Sequence, residues 1–328
     1  MDFILLHLII SSVGVILMRN GALMLSKGAT ALSTKSQFSG LRVGLTIVAL
    51  GTSIPEVAVS LISTFKNEET LAFGTLIGSN TFNIIFGLGL TTFFINIRVF
   101  AKSIWRDLLF AILGGILLFI LLNKQLIFNI GANYLTKTDS LILLFCFLLY
   151  YLLIFTNKKS RREISLLNAQ KHSSFHDSNK QAIIRNIVVG ILIICVGAYI
   201  VVIEALLLSS TTVLTSRFIG VSIMSICTSL PEITTTLVAM KRRRQDIALG
   251  NIMGSYIINF LFTPCLLTIK GEAFYDYTLN YDLIFSILIC ILCVTLVLSS
   301  RYYILNKITS ITLITLGILY YITTYLRG

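Results

Sequence analysis

The sequence predicts an all-α polytopic membrane protein with ten transmembrane helices in two inverted-topology five-helix repeats. Three observations lead there. Of the 328 residues, 56% are hydrophobic and 12% charged, with mean hydropathy +0.90; a soluble domain carries about 25% charged residues. Apolar stretches follow one another down the whole chain, each near or above the roughly 20 residues that a helical crossing needs. Finally, GTSIPE at 51–56 returns as CTSLPE at 227–232, so the same proline and glutamate interrupt two apolar runs.

The predicted spans lie at 3–30, 39–65, 70–96, 104–123 and 138–156, then at 182–210, 214–240, 246–269, 280–299 and 305–325. The first reads as a span and not a cleaved leader, because it has no basic start and no small-residue cleavage site. Several exceed the minimum length, which predicts tilted or broken helices. Between the two sets, KKSRREISLLNAQKHSSFHDSNKQ at 158–181 has no apolar periodicity and reads as a linker. The domain organisation is therefore a first repeat at 1–157, the linker, and a second repeat at 182–328.

The halves correspond at one offset, 176 positions, without a gap. Gly14, Gly21 and Gly44 return as Gly190, Gly197 and Gly220. Thr52, Ser53, Pro55 and Glu56 return as Thr228, Ser229, Pro231 and Glu232. Gly74, Gly78, Ser79 and Asn83 return as Gly250, Gly254, Ser255 and Asn259. An odd number of spans per unit makes the second unit enter from the opposite side, an arrangement found in secondary transporters with a site at the repeat interface. A cation channel or a non-transport membrane sensor shares that symmetry and stays open as an alternative.

The net charge of +12 does not point to nucleic acid, because of where the charge lies. Of the 26 basic residues, 18 fall on one side, including Arg98, Lys102, Arg106, Lys158, Lys159, Arg161, Arg162, the run Lys241 to Arg244, Arg301 and Lys307. Six fall on the other: Lys66, Lys124, Lys137, Arg217, Lys270 and Arg327. The bias places the linker in the cytoplasm and both termini outside. Six cysteines and three histidines are dispersed without ligand spacing, so neither a disulfide framework nor a zinc site is expected. Nothing suggests ATP, an organic cofactor or a required protein partner.

Chemistry concentrates at the repeated motifs. Pro55 has no N–H for the Gly51 carbonyl, nor Pro231 for that of Cys227, and a carbonyl freed in lipid needs a new partner. Each proline precedes a glutamate, and an ionisable residue within a span usually faces the bundle interior or an aqueous path. Ser79 and Asn83 share one helical face, as do Ser255 and Asn259, and the Gly pairs beside them allow close packing. Two carboxylates amid hydroxyl and amide oxygens suit hard Ca²⁺, which takes six to eight oxygens at about 2.3–2.6 Å. Glu204, late in the sixth span, reads as an interfacial or paired residue, or as part of an access route or second site. Lys27 at the other end of the first span can snorkel, and Pro264 is expected to kink its helix locally.

GTSIPEVAVS with GTLIGSNTFN, and CTSLPEITTT with GNIMGSYIIN, together resemble the two alpha repeats of the calcium/cation antiporter superfamily, in particular the prokaryotic sodium/calcium exchangers. The resemblance covers essentially the whole chain. It implies ten transmembrane helices and exchange of Ca²⁺ for Na⁺ without ATP, with the first and sixth helices sliding against the other eight. Carried across by position, it makes Glu56 and Glu232 the shared carboxylates, with Thr52 and Thr228 beside them around Ca²⁺. Ser53, Ser79, Ser229 and Ser255 would complete the alternating Na⁺ and Ca²⁺ sites. The carbonyls of Ala49 and Ser225 would add Na⁺ ligands, and Asn83 an amide. Asn259 departs from the family, many of whose members have aspartate there, leaving two formal charges in place of three. Tyr256 replaces the asparagine common after Gly-Ser, and Cys227 replaces the glycine that opens the second motif. Ca²⁺/H⁺ exchange is the nearer alternative.

Overall fold

A chain in hydrocarbon must satisfy its own backbone, and helices do so within one segment. The computed structural model describes residues 2–34, 40–94, 97–98, 101–129, 133–156, 180–212, 214–241, 245–300 and 304–327. Its long helical runs are α1 (Asp2–Thr34), α2 (Leu41–Phe65), α3 (Glu69–Phe94), α4 (Ala101–Leu122) and α5 (Lys137–Thr156). They continue with α6 (Gln181–Thr211), α7 (Ser216–Lys241), α8 (Gln245–Leu267), α9 (Tyr277–Ser299) and α10 (Lys307–Leu326). Among the described residues, eight of these, all but α1 and α4, are long and apolar enough to cross a membrane. The chain is an all-α polytopic membrane protein. Apart from residues 180 and 181, which open the sixth helical run, the predicted linker lies outside the described residues.

Burial sorts the helices into layers. In α3 and α8, 94% and 89% of the most apolar stretch is buried, against 33% in both α5 and α10, so α3 and α8 form the centre. Helices α2 and α7 cross beside them, α4 and α5 pack on α8, and α9 and α10 pack on α3. Helices α1 and α6 pack along each other and onto α2 and α7. They hold there through an apolar cluster of their own, which includes Met18, Val59, Ile194, Val202 and Met224 and is separate from the larger core.

Close approach at glycine makes these crossings possible. A Cβ on Gly14 would stand 3.0 Å from the Gly197 carbonyl oxygen, and one on Gly21 2.7 Å from that of Gly190. In reverse, a Cβ on Gly197 would stand 2.6 Å from the Gly14 carbonyl oxygen and one on Gly190 2.8 Å from that of Gly21. Gly78 packs directly onto the Val221 carbonyl of α7, and a Cβ on Gly254 would stand 2.6 Å from the Leu45 carbonyl oxygen of α2. Every contact has a counterpart at the 176-residue offset. Two short antiparallel strand pairs are exchanged in a similar way, β1 (Ile97–Arg98) with β4 (Ile304–Leu305), and β2 (Tyr134–Leu135) with β3 (Ala273–Phe274), with β1 and β3 at the same offset and β2 and β4 displaced from it. Four π-helical turns also come in offset pairs, Gly44–Val48 with Ile219–Met224 and Asn83–Leu88 with Ile258–Phe262. Such turns occur mostly as single insertions at functional sites.

The prolines behave less symmetrically than the sequence predicts. In α2 the helix breaks at Ser53 (φ −83°, ψ 0°), and Pro55 falls in the first turn of the following segment, Ile54–Phe65, where its missing N–H costs little. In α7 the segment Ser225–Lys241 runs through Pro231 without interruption. The expected pair of breaks is thus one break and one continuous helix. Pro264 stands at the start of the short segment Thr263–Leu267, directly after a π turn. Away from the centre, Arg217 of α7 pairs with buried Asp282 of α9 at 2.9 Å, and Tyr320 of α10 donates to the same carboxylate at 2.9 Å.

Gly78→Ala should lower the melting temperature of the detergent-solubilised protein. Its Cβ has backbone to displace, and overpacking of this kind costs about 1–3 kcal/mol. Gly271→Ala, where a Cβ meets nothing within 4 Å, should leave the melting temperature unchanged.

Candidate cation-binding site

Four helices bring their polar residues to one layer at the centre of the bundle. Ser53 sits at the α2 break, and Glu56 lies in the first turn of the segment that follows, where the helix dipole favours a carboxylate. In α7, Thr228, Ser229 and Glu232 are carried on a continuous helix. Helix α3 contributes Ser79, Asn80 and Asn83, and α8 contributes Asn251, Ser255 and Asn259. All of these side chains are buried, and Glu56 and Glu232 are wholly removed from solvent.

The two carboxylates are held crosswise. Ser229 of α7 donates to Glu56 Oε1 at 3.5 Å, and Ser53 of α2 donates to Glu232 Oε1 at 3.3 Å. The Ser53 hydroxyl also lies 2.9 Å from Ser255 Oγ, and Asn83 Nδ2 donates to that same Ser255 oxygen at 3.4 Å. Ser79 and Thr228 share a hydrogen bond of 3.1 Å, and both hydroxyls lie within 3.5 Å of the Ser225 carbonyl. Thr52 donates to Asn251 Oδ1 at 3.0 Å and lies 3.4 Å from the Ala49 carbonyl. Eleven of the twelve residues singled out in the sequence thus make buried hydrogen bonds in three groups: Glu56 with Ser229; Ser79, Thr228 and Ser225; and Ser53, Glu232, Ser255 and Asn83, tied through Asn251 to Thr52 and Ala49.

What the network lacks is as informative as what it contains. Oε2 of Glu56, Oε2 of Glu232, Oδ1 of Asn83 and Oδ1 of Asn259 are buried, and none has a hydrogen-bond partner among the described residues. All four are acceptors. No lysine or arginine is hydrogen-bonded or ion-paired to either glutamate there. An ionised carboxylate is not stable in an apolar interior without a counter-charge, so the arrangement calls for a cation or for protons. The threonine hydroxyls point their hydrogens at protein oxygens, which leaves lone pairs for such a ligand.

Asn259 is used differently from its counterpart. Its Nδ2 donates to Asn80 Oδ1 at 3.1 Å, and Asn80 Nδ2 donates in turn to the Tyr256 carbonyl at 3.2 Å. The Tyr256 hydroxyl leaves the site and donates to the Ser286 carbonyl of α9 at 2.8 Å. Asn80 and Asn251 were not among the predicted residues. Asn251 donates to the Glu232 carbonyl and to Thr236 Oγ1, both at 3.2 Å, besides accepting from Thr52. The signal available for both was an amide within an otherwise apolar span, which offset matching passes over because their counterparts are Tyr256 and Thr75.

The pattern of the family described as "Sodium/calcium exchanger protein" matches residues 6–156 and 184–327. The chain is 28% identical over 293 residues to "Inner membrane protein YrbG" of Escherichia coli (strain K12), with 86% of each chain covered. It is 23% identical over 282 residues to "Sodium/calcium exchanger MaX1" of Methanosarcina acetivorans, covering 78% of this chain and 81% of that one. Among solved structures it is similar to the sodium-calcium exchanger NCX_Mj soaked with 2.5 mM Na⁺ and 0.1 mM Sr²⁺, with TM-score 0.67 and 21% identity, covering 96% of this chain and 98% of that one. At that identity the likeness is one of fold.

Asn251→Ala should lower the melting temperature, since it strands buried partners on Thr52, Glu232 and Thr236, each at a cost of about 1–3 kcal/mol. Thr75→Ala at the equivalent position removes only a bond to the Leu71 carbonyl one turn away, and should be nearly neutral in the same melt.

Proposed function

The chain belongs to the sodium/calcium exchanger protein family, and from that membership we propose that Glu56 and Glu232 form one site occupied alternately by Ca²⁺ and Na⁺. The protein is a secondary antiporter and not an enzyme. The observation that carries the site assignment is the set of four buried acceptor oxygens, two of them on carboxylates, with no donor facing them. Ca²⁺ in this site is held by Glu56, Glu232, Thr52 and Thr228. Na⁺ ions use the same carboxylates with Ser53, Ser79, Ser229 and Ser255, and with the carbonyls of Ala49 and Ser225. Asn83 and Asn259 each supply an amide oxygen.

Exchange follows from the cost of the empty site. With two ionised carboxylates and no counter-charge, the site cannot pass through the low-dielectric middle of the bundle. Loaded with cations it can, so one ion leaves only when another replaces it. The change of access is a movement of α1 and α6 together against the other helices. Their tight glycine contacts with each other, and their separate apolar cluster with α2 and α7, support motion as a pair. Ten spans in two inverted repeats, 1–157 and 182–328, complete this reading, with residues 158–181 in the cytoplasm and both termini outside the inner membrane. The offset-paired contacts and the two-part family match support the repeats.

Proton coupling is the second reading, favoured by one feature. With Asn259 neutral, the site holds two carboxylates, and two protons neutralise them as completely as one Ca²⁺.

The test is ⁴⁵Ca²⁺ uptake into proteoliposomes loaded with Na⁺, with pH and voltage clamped. Uptake should require the outward Na⁺ gradient, and uptake driven only by a pH gradient in Na⁺-free medium would establish proton coupling instead. Glu56→Gln and Glu232→Gln should each reduce uptake at least about tenfold, since a charged hydrogen-bonding ligand is worth about 1.5–3 kcal/mol and each 1.4 kcal/mol is tenfold. Wild-type uptake by both folded variants would remove the site. Asn259→Asp should change the charge moved per turnover, because an aspartate has no N–H for Asn80 Oδ1 and adds an anionic oxygen to the network.

A further inference from the structure

A residue that offset matching passes over decides which way a site amide faces. Asn80 of α3 is wholly buried, and both ends of its amide are engaged. Its Nδ2 donates to the Tyr256 carbonyl of α8 at 3.2 Å, and its Oδ1 accepts from Asn259 Nδ2 at 3.1 Å. The other end of the Asn259 amide, Oδ1, is buried without a hydrogen-bond partner among the described residues.

The direction of this relay is fixed by its first member. An asparagine amide has an oxygen at one end and an NH₂ at the other, so turning it over exchanges acceptor for donor. A backbone carbonyl can only accept. The end of Asn80 that faces Tyr256 must therefore be Nδ2, which leaves Oδ1 for Asn259. That oxygen also only accepts, so Asn259 must meet it with Nδ2 and turn its own Oδ1 away. One carbonyl thus decides two amide orientations, and each alternative sets two acceptors against each other in a buried layer, which is costly. Asn83, the offset counterpart of Asn259, is not held in this way. Its Nδ2 donates to the Ser255 hydroxyl at 3.4 Å, and a hydroxyl would meet either end of the amide. The residue equivalent to Asn80 is Tyr256, whose hydroxyl leaves the site for the Ser286 carbonyl of α9 at 2.8 Å. The lock is one-sided.

We propose that Asn80 is a positioning residue, which holds the Asn259 amide with its oxygen toward the cation and its NH₂ away from it. The proposal deepens the exchange reading, on which it rests for the cation itself. Asn259 shares a helical face with Ser255, whose hydroxyl lies 2.9 Å from that of Ser53, the donor to Glu232. An amide free to turn would show this layer an NH₂ as readily as an oxygen, and an NH₂ repels a cation. Held by Asn80, the neutral side chain serves as an oxygen ligand without adding a third charge to the empty site. Groups that orient a metal ligand from behind are typically worth about 10–100-fold in affinity.

The test is equilibrium ⁴⁵Ca²⁺ binding to the purified full-length protein, measured in two backgrounds. With asparagine at 259, Asn80→Leu should weaken binding about tenfold, the lower end of what such orienting partners contribute. With Asn259→Asp, the same Asn80→Leu change should shift affinity by less than about twofold, because a carboxylate presents an oxygen whichever way it is turned. Should Asn80→Leu fail to fold, Asn80→Ala removes the same two bonds and enters the same comparison. Equal weakening in both backgrounds would make Asn80 a general support of the bundle and overturn the orienting role. Unchanged binding by a folded Asn80 variant in the native background would overturn it too, and both results would leave the exchange reading standing. A wild type that binds ⁴⁵Ca²⁺ but shows no Na⁺-dependent uptake would overturn the exchange reading, and the two-background comparison would still decide the role of Asn80. A wild type that binds no ⁴⁵Ca²⁺ would overturn the site and the proposal together.

Discussion

Two carboxylates buried together without a cationic side chain set the terms for the rest of the molecule. Ionised and unaccompanied, they are the most costly feature of the interior, and the surrounding structure is arranged around that cost. Serines from opposite halves cross to donate to them. The α2 break brings a helix start beneath one of them. Glycine contacts let four helices approach closely enough for hydroxyl and amide oxygens to share a single layer. These devices reduce the cost without cancelling it. On the proposed site assignment, the residual cost is what makes the molecule dependent on ions from outside.

The central layer is symmetric in plan and asymmetric in detail. Ser53 and Ser229 play matching parts, and so do Glu56 and Glu232. Beyond them the equivalence fails in a physically consistent way. Asn80 and Asn259 form a neutral amide relay that ends on the Tyr256 carbonyl, while Asn251 ties Thr52 to the backbone at Glu232. At the Asn251 position the second half thereby gains a cross-tie where the first has Thr75, bonded within its own helix. The same divergence appears at the ends of α1 and α6, polar at His7 and Glu204 and packed at Gly28 and Ile183.

Most of the fold was legible from the sequence because hydropathy and helix length are local quantities. The described helices begin and end within a few residues of the predicted spans; α3, for instance, covers Glu69–Phe94 against an expected 70–96. The gathering of the twelve residues singled out in the sequence was legible for a different reason, since offset matching pairs positions that a two-fold arrangement brings together. It could not reveal Asn80 or Asn251, whose importance lies in bonds to non-equivalent partners. It also implied two helix breaks where there is one, because a proline removes a donor but tertiary packing decides whether the helix bends. The bond between His7 and Glu204 joins residues 197 positions apart, and no local pattern announces it.

The reciprocal contacts have a bearing on ancestry. Gly14 touches Gly197 as Gly21 touches Gly190, and strand β1 meets β4 as β3 meets β2. Contacts that come in such exchanged pairs are those a single unit makes with a second copy of itself in an isologous dimer. In a dimer of identical chains, a substitution at one position appears in both subunits at once. An amide opposite a threonine, as at Asn251 and Thr75, or a titratable pair at one end of α1 and α6 and a glycine at the other, is then unattainable. Joining the copies on one polypeptide removes that restriction, and the two mouths of the bundle become free to specialise for the different solutions that they face.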